Sequence, residues 1–151
     1  MKITTPKGWI LEFKKCSEGW QSEKQLTNRD ESSIIENPGF LFEDSLYRGY
    51  QESADFEKDL GLFIDFYIDN QEWILSQTKA AVTPITAHNH DFTANDEVDY
   101  ILFNIEIFYL KRYQFKINFV LLYGYVYYDI FYDVLSPDQF LITKVERLLN
   151  Y

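Results

Sequence analysis

Residues 101–135 read ILFNIEIFYLKRYQFKINFVLLYGYVYYDIFYDVL and contain no proline. From Tyr113 to Phe119 every second side chain is aromatic or aliphatic, and the side chains between them are Gln, Lys and Asn. This is the period-two pattern of a strand with one buried face. Asp99 to Leu110 predicts the preceding strand, and Lys111-Arg112 predicts the turn that joins it to this one. Gly124 marks a bend in one long strand from Tyr113 to Val134 or the joint between two paired strands. The stretch predicts the centre of an antiparallel sheet.

The segments before this stretch carry weaker signals. Trp9 to Lys14 predicts a first strand, whereas the polar residues 17–37 predict a loop or a short helix. Asn37-Pro38-Gly39 has the residues of a turn. Residues 43–60 have helical spacing, with Ser53 placed to cap a helix that begins at Ala54.

Alternation also predicts a second strong strand from Leu62 to Ile68. Asp69-Asn70 and the segment Gln71 to Gln77 then complete a β-hairpin. Residues 80–97, which contain Pro84 and many small or polar residues, predict a long surface loop.

The C-terminal end predicts a helix. Ser136-Pro-Asp-Gln139 has a capping serine, a proline at the first helical position and a glutamine that can bond back to the cap. Leu141, Val145 and Leu148 would then face the sheet. The predicted fold class is α+β: a mainly antiparallel twisted sheet of about five or six strands with a C-terminal helix packed on one face.

Length and composition favour one domain, residues 1–151, with a core large enough to need no disulfide or metal. The chain has a single cysteine, Cys16, which cannot form an internal bridge. Its first residues lack the apolar run of a signal peptide, so we expect a cytoplasmic protein. The run 117–128 is too short to cross a bilayer, since Asp129 ends it and about 20 apolar residues are needed.

The net charge of −10 is confined to one part of the chain. Residues 1–42 and 100–151 are each balanced, whereas residues 43–99 hold thirteen acids and three bases. Such a field repels nucleic acid and anionic membranes and attracts a basic protein. A solvated, merely solubilising acidic face is the alternative interpretation.

Two predicted strands alternate a ring with a carboxylate on the side opposite their aliphatic residues. On the first strand and its end these residues are Phe63, Asp65, Tyr67 and Asp69. On the later strand they are Tyr125, Tyr127, Asp129, Phe131 and Asp133. A ring offers contact area at low entropy cost and a carboxylate binds arginine, so these residues form a candidate surface for a basic partner. The alternative is that loops or the segment before Leu60 cover the rings.

Few residues suggest catalysis. His88, His90 and Asp91 could contribute to a metal site, but a structural zinc site normally has four dedicated ligands, so the pattern favours a solvated loop. There is no glycine-rich phosphate loop, no nucleophile elbow and no basic patch for nucleic acid. We therefore predict no cofactor and no enzymatic activity, with a metal-dependent enzyme as the alternative.

Asp65, Asp69, Tyr127 and Asp129 on aromatic strands, in a small acidic chain without catalytic motifs, resemble features of the immunity proteins of bacterial toxin and contact-dependent inhibition systems. Phage-encoded inhibitors of host defence proteins have the same character. The resemblance implies a cytoplasmic protein that neutralises a basic toxin, often a nuclease, by covering its active site. A third possibility is a subunit whose aromatic faces pair with themselves.

Overall fold

A computed structural model describes residues 1–28, 34–36, 39–89, 100–121, 126–136 and 138–149. These residues form ten strands and two helices. The strands are β1 Lys2–Thr4, β2 Trp9–Cys16, β3 Gly19–Ser22, β4 Gln25–Asn28, β5 Ile34–Glu36, β6 Phe40–Phe42, β7 Tyr100–Tyr109, β8 Gln114–Leu121, β9 Val126–Ser136 and β10 Gln139–Leu149. The helices are α1 Asp44–Arg48 and α2 Ser53–Asn89. The α+β class and the mostly antiparallel sheet are confirmed, but the sheet is larger than predicted.

The strands form one sheet in the order β10-β9-β8-β7-β6-β3-β2-β4-β5, with β1 paired to β2 outside this path. β7 to β10 follow one another as antiparallel neighbours, so the described part of the stretch predicted from Tyr113 to Val134 is two paired strands, β8 and β9, rather than one bent strand. β6 pairs with β7 in parallel, with Phe40 opposite Ile105. Parallel neighbours need a crossover connection, and α1 and α2 lie in that connection.

α2 replaces the strand and the hairpin that alternation predicts for residues 62–77. Its buried side chains recur at intervals of three, four and seven residues, which is the spacing of one helix face. They are Phe56, Leu60, Phe63, Ile64, Tyr67, Ile74, Thr78 and Val82, and Asp65 is buried beside them. Leu62 and Phe66, which alternation places inward with Ile64, are instead exposed and half-buried. The seven residues 62–68 fit both the period of two of a strand and the period of 3.6 of a helix. The whole of α2 fits only the helical period.

The core lies between α2 and one face of the sheet, which we call the inner face. Ile105, Ile117 and Ile130 lie at its centre with no solvent exposure. Phe63 packs edge-on against Phe115, with their ring centroids 5.3 Å apart. The inward parity predicted for residues 115–119 and 128–134 is confirmed by this burial. The opposite face, which we call the outer face, carries Glu106, Lys116, Asp129 and Phe131, among other residues.

Two predicted loops contain regular structure. Within the polar stretch 17–37 lie β3, β4 and β5, and Leu26 is completely buried. β3 and β4 need few apolar residues because pairing with β2, and with β6 or β5 on the other side, satisfies their backbone groups. Residues 80–89 belong to α2, and residues 90–97 lie outside the described residues. Gly39 has φ +89°, as a turn glycine requires, whereas Asn37 and Pro38 are outside the description.

The C-terminal segment is strand β10 and not a helix. It pairs with β9 from Gln139 to Leu149, with a register shift between Ile142 and Lys144. The capping motif at Ser136 is a local signal of about 1 kcal/mol, whereas eleven residues of strand pairing and the packing of Phe140 on α2 act together. None of the helices in the described part of the chain is both long enough and apolar enough to cross a membrane.

Candidate functional site

Three of the four predicted binding residues on α2 are buried inside this chain. Phe63 and Tyr67 have no exposed surface and belong to the core. Asp65 is 6% exposed, and its Oδ2 accepts a hydrogen bond of 3.0 Å from the backbone N–H of Lys7. Asp69 is exposed but forms an ion pair with the Lys7 side chain. The prediction of an uncovered strand face at 63–69 was therefore wrong, because this segment is a helix that packs on the sheet.

The second predicted set lies on the outer face of β9. Phe131 and Tyr127 are half-buried, and Tyr125 lies outside the described residues. Asp129 is 7% exposed and accepts a hydrogen bond of 2.7 Å from Asn118 Nδ2. Its other oxygen lies 3.4 Å from Lys116 Nζ. Asp133 receives a hydrogen bond of 2.8 Å from Arg112 Nε and a second from the same guanidinium.

The two predicted sets lie on opposite sides of the sheet and do not form one surface. Side chains of the chain itself also neutralise the acids at 129 and 133. The guanidinium of Arg112 lowers the pKa of Asp133 below its usual range, and this effect exceeds the opposing effect of desolvation. A partner's arginine would have to displace these internal cations, which weakens the case for the β9 acids as an anchor.

Half of the exposed large apolar residues that the structure describes instead lie at the turn between β7 and β8. Among the described residues eight large apolar side chains are exposed, and four of them line two adjacent hollows at this turn. They are Leu62, Phe108, Tyr109 and Leu135, each between 41% and 46% exposed. We call this surface the turn groove; it consists of these four residues, the turn residues Leu110 to Tyr113, and the facing residues of α1 and α2.

The groove has two lobes that share Leu110 and Lys111. The first lobe has a volume of about 480 Å³, between α1 and the end of β7. The second has a volume of about 370 Å³, between α2 and the end of β9. Each is large enough to hold one or more side chains of a partner. The mixture of aromatic, aliphatic and charged lining is typical of an anchor pocket.

A polar network separates the two lobes. Asp59 Oδ2 accepts a hydrogen bond of 2.7 Å from the Tyr50 hydroxyl and lies 2.9 Å from Lys111 Nζ. Lys111 Nζ is also 5.0 Å from the centroid of the Tyr50 ring. Desolvation opposes ionisation of Asp59, but the hydrogen bonds from Lys111 and Tyr50 outweigh it and lower its pKa. Burial raises the pKa of Tyr50, and the bond to Asp59 adds to this. The network is thus held as a carboxylate, an ammonium and a neutral phenol.

Two residues of the predicted set adjoin this groove. Phe131 stacks on Phe108, with centroids 6.0 Å apart and planes inclined by 10°. Asp133 holds Arg112, which lines the second lobe. Phe131 and Asp133 therefore support groove residues from the outer face rather than form the centre of a surface.

The charge around the groove is negative. Glu43 and Asp59 line the lobes, and Asp55 is close enough to raise the pKa values of Tyr50 and Lys111 as a lesser electrostatic effect. Lys111 pairs with Asp59 and Arg112 pairs with Asp133. The carboxylates of Glu43 and Asp55 are then in excess over these ion pairs. Apolar pockets beside uncompensated acids suit a side chain that is aliphatic or aromatic and next to a positive charge.

Sequence reasoning missed Leu62, Phe108, Tyr109 and Leu135 as surface residues. Their types predict burial, and each sits inside or beside an apolar run. The predicted turn at Lys111-Arg112 is confirmed. Apolar residues on both sides of this charged turn are the sequence signal that could have indicated the surface.

Only one residue of the suggested metal site belongs to the described part of the chain. His88 is in the last turn of α2, and His90 and Asp91 lie outside the described residues. Within the described ranges no three residues among His, Cys, Asp and Glu are grouped as metal ligands.

Comparison with protein-family models, with curated proteins and with solved structures gave no match. The functional conclusion therefore rests on the geometry of this chain.

Proposed function

We propose that this chain is a non-enzymatic binding protein that holds a basic protein partner in the turn groove. The observation that carries the proposal is the gathering of Leu62, Phe108, Tyr109 and Leu135 around two hollows. Exposed apolar side chains that line a concave surface beside polar groups are typical of a binding site. Leucine and aromatic side chains of a partner would fill the lobes, and its cations would meet Glu43 and Asp55.

The acidic segment supplies the long-range part of the mechanism. Residues 43–99 carry thirteen acids against three bases, and α1 with the first half of α2 borders the groove. A negative electrostatic field raises the association rate of a basic protein. Added salt screens this field, since the Debye length is only about 8 Å at physiological ionic strength. The groove would then provide the short-range contacts that slow dissociation.

A basic toxin in the cytoplasm is the partner class that we propose. An acidic protein with an apolar groove can cover the cationic active site of a nuclease and block its substrate. If the partner is a toxin, a gene for a basic, growth-arresting protein should lie beside the gene for this chain. Co-production of the two proteins should restore growth. Neighbouring genes that encode metabolic enzymes, or growth arrest that persists during co-production, would contradict a toxin as the partner.

The groove itself is tested with two labelled peptides. One alternates leucine with arginine, and the other alternates leucine with glutamate. Fluorescence anisotropy should show binding of the arginine peptide, with an affinity that falls as sodium chloride is raised, and little binding of the glutamate peptide. No binding of the arginine peptide, or equal binding of both, would overturn the proposal.

Two leucines of matched exposure locate the binding. Leu135 lines the second lobe and is 45% exposed, whereas Leu141 lies on β10 and is 47% exposed. Leu135→Ala should weaken peptide binding about fivefold or more, because truncation of a central contact costs over about 1 kcal/mol. Leu141→Ala should leave it unchanged. Equal effects of the two substitutions would place the binding elsewhere.

A further inference from the structure

β10 is the last strand of the described sheet. Among the described strands it pairs with β9 alone, so its second edge faces no other described strand. Leu141, Ile142 and Leu148, three of the eight exposed large apolar residues, lie on this strand. A long edge with exposed apolar side chains favours pairing with another strand.

The hydrogen bonds of β9 reveal which β10 groups face outward. The Val134 N–H donates to the Tyr113 carbonyl at 2.9 Å, so the even-numbered residues of β9 direct their backbone groups toward β8. Val145 is opposite Ile130 and Arg147 is opposite Tyr128. The N–H and C=O groups of Val145 therefore face away from β9, toward the second edge of β10.

We propose that two copies of this chain form a dimer by antiparallel pairing of β10 with β10 about a two-fold axis at Val145. A two-fold axis places one residue opposite its own copy, and at Lys144 or Glu146 this would put two like charges opposite each other. At Arg147 it would place two arginines opposite each other, which is unfavourable. At Val145 it places Lys144 opposite Glu146 of the second copy, and Glu146 opposite Lys144 of the second copy.

This arrangement uses charges that the strand already presents on one face. Lys144 and Glu146 lie on the outer face, opposite Phe131 and Asp129 respectively, and form an ion pair within the chain. In the dimer the two pairs become a cluster of four alternating charges. Val145 pairs directly with its copy by two N–H···O=C bonds, which leaves the Lys144 and Glu146 pairs as the type in which side chains approach most closely. The register shift before Lys144 limits the paired segment at one end.

The mass of the whole chain in solution tests the dimer. Light scattering after size exclusion should give twice the 18.1 kDa chain mass, decreasing on dilution. Val145→Pro should raise the dimer dissociation constant at least about tenfold, because it removes an edge N–H that the β9 ladder does not use. Circular dichroism should remain that of the folded wild type. A wild-type protein that stays monomeric at its highest soluble concentration would overturn the proposal.

A charge exchange tests the register independently of any effect on folding. Lys144→Glu alone and Glu146→Lys alone each turn two opposite-charge pairs into like-charge pairs, so each should weaken the dimer about tenfold. The double variant Lys144→Glu with Glu146→Lys should return to within about threefold of the wild type. A dimer that tolerates each single reversal, or that the double variant does not restore, would contradict pairing about Val145.

Discussion

Two buried tyrosines differ in what their hydroxyl groups contact. The Tyr132 hydroxyl is 2.6 Å from Thr78 Oγ1 and donates to the Ile74 carbonyl at 3.3 Å. The Tyr67 hydroxyl is buried without a hydrogen-bond partner among the described residues. Burial raises the pKa of both, to about 12 for Tyr132. Both phenols are neutral at pH 7, so only their hydrogen bonds distinguish them.

Replacement by phenylalanine should separate the two. Tyr132→Phe should lower the free energy of unfolding by about 1 kcal/mol, because it leaves Thr78 and the Ile74 carbonyl with one partner fewer. Tyr67→Phe should leave the free energy unchanged or raise it by up to about 1 kcal/mol, since it removes a desolvated hydroxyl. Urea unfolding measures both. An equal loss in the two variants would mean that the Tyr67 hydroxyl has a partner after all.

The ionised Asp59 carboxylate should stabilise the folded chain by an amount that decreases at acidic pH. Its pKa in the folded chain is below the ordinary value of 3.8, so the carboxylate stabilises the fold above that pH and loses this effect as the pH falls through the folded value. Asp59→Asn should therefore be less stable than the wild type at pH 7, with a difference that narrows toward about pH 3. Glu57→Gln, an exposed change two residues away, is the control. A difference that does not vary with pH would exclude an ionised Asp59 as its source.

At the scale of the elements, the β2–β3 turn depends on a glycine that contacts backbone. Gly19 has φ +134°, and a Cβ added there would lie 2.2 Å from the Phe42 carbonyl oxygen of β6. Gly49, which follows α1, has φ −69°, and its nearest neighbours would be 3.5 Å away. The two glycines thus differ in both conformation and available space.

Alanine at these two positions should act in opposite directions. Gly19→Ala should lower the free energy of unfolding by about 2 kcal/mol or more, since both the φ angle and the approach of β6 oppose a side chain. Gly49→Ala should raise it by about 0.4–1 kcal/mol by restricting the unfolded chain. Thermal and urea unfolding provide the measurement. A tolerated Gly19→Ala would show that β6 does not approach β3 so closely.

α2 shows what one element does for its neighbours. As the crossover between the parallel strands β6 and β7, it must lie on a face of the sheet, and it thereby covers the inner face along β6 to β9. The same placement brings Asp59 and Leu62 to the β7–β8 turn. The groove is therefore a consequence of the crossover and not of the turn alone.

At the scale of the whole molecule, the groove and the β10 edge are separate surfaces. Leu135 lies five residues along β9 from Ile130, the partner of Val145, or about 16 Å at 3.3 Å per residue. Leu135→Ala should therefore leave the dimer mass unchanged, and Val145→Pro should leave peptide binding unchanged. Because each variant tests one proposal, the failure of one can be distinguished from the failure of the other.

The charge of the whole chain could be located from the sequence, but the binding charges could not. The acids of 43–99 were evident by counting. That Asp65 is buried, and that Arg112 in the β7–β8 turn neutralises Asp133 on β9, depends on residues that are distant in sequence. No spacing along the chain predicts contacts of this long-range kind.

The sequence by itself determined the α+β class, the antiparallel strands of residues 100–134 and the buried parity of 115–119 and 128–134. Long runs with one period allow only one regular structure, so local pattern is sufficient there. Only the tertiary structure decided that residues 62–77 are helical, that 139–149 form a strand, and that Leu62, Phe108, Tyr109 and Leu135 meet at the β7–β8 turn. Those short apolar segments fit two periods, and the free energy of packing against distant strands is larger than the local preference that separates them.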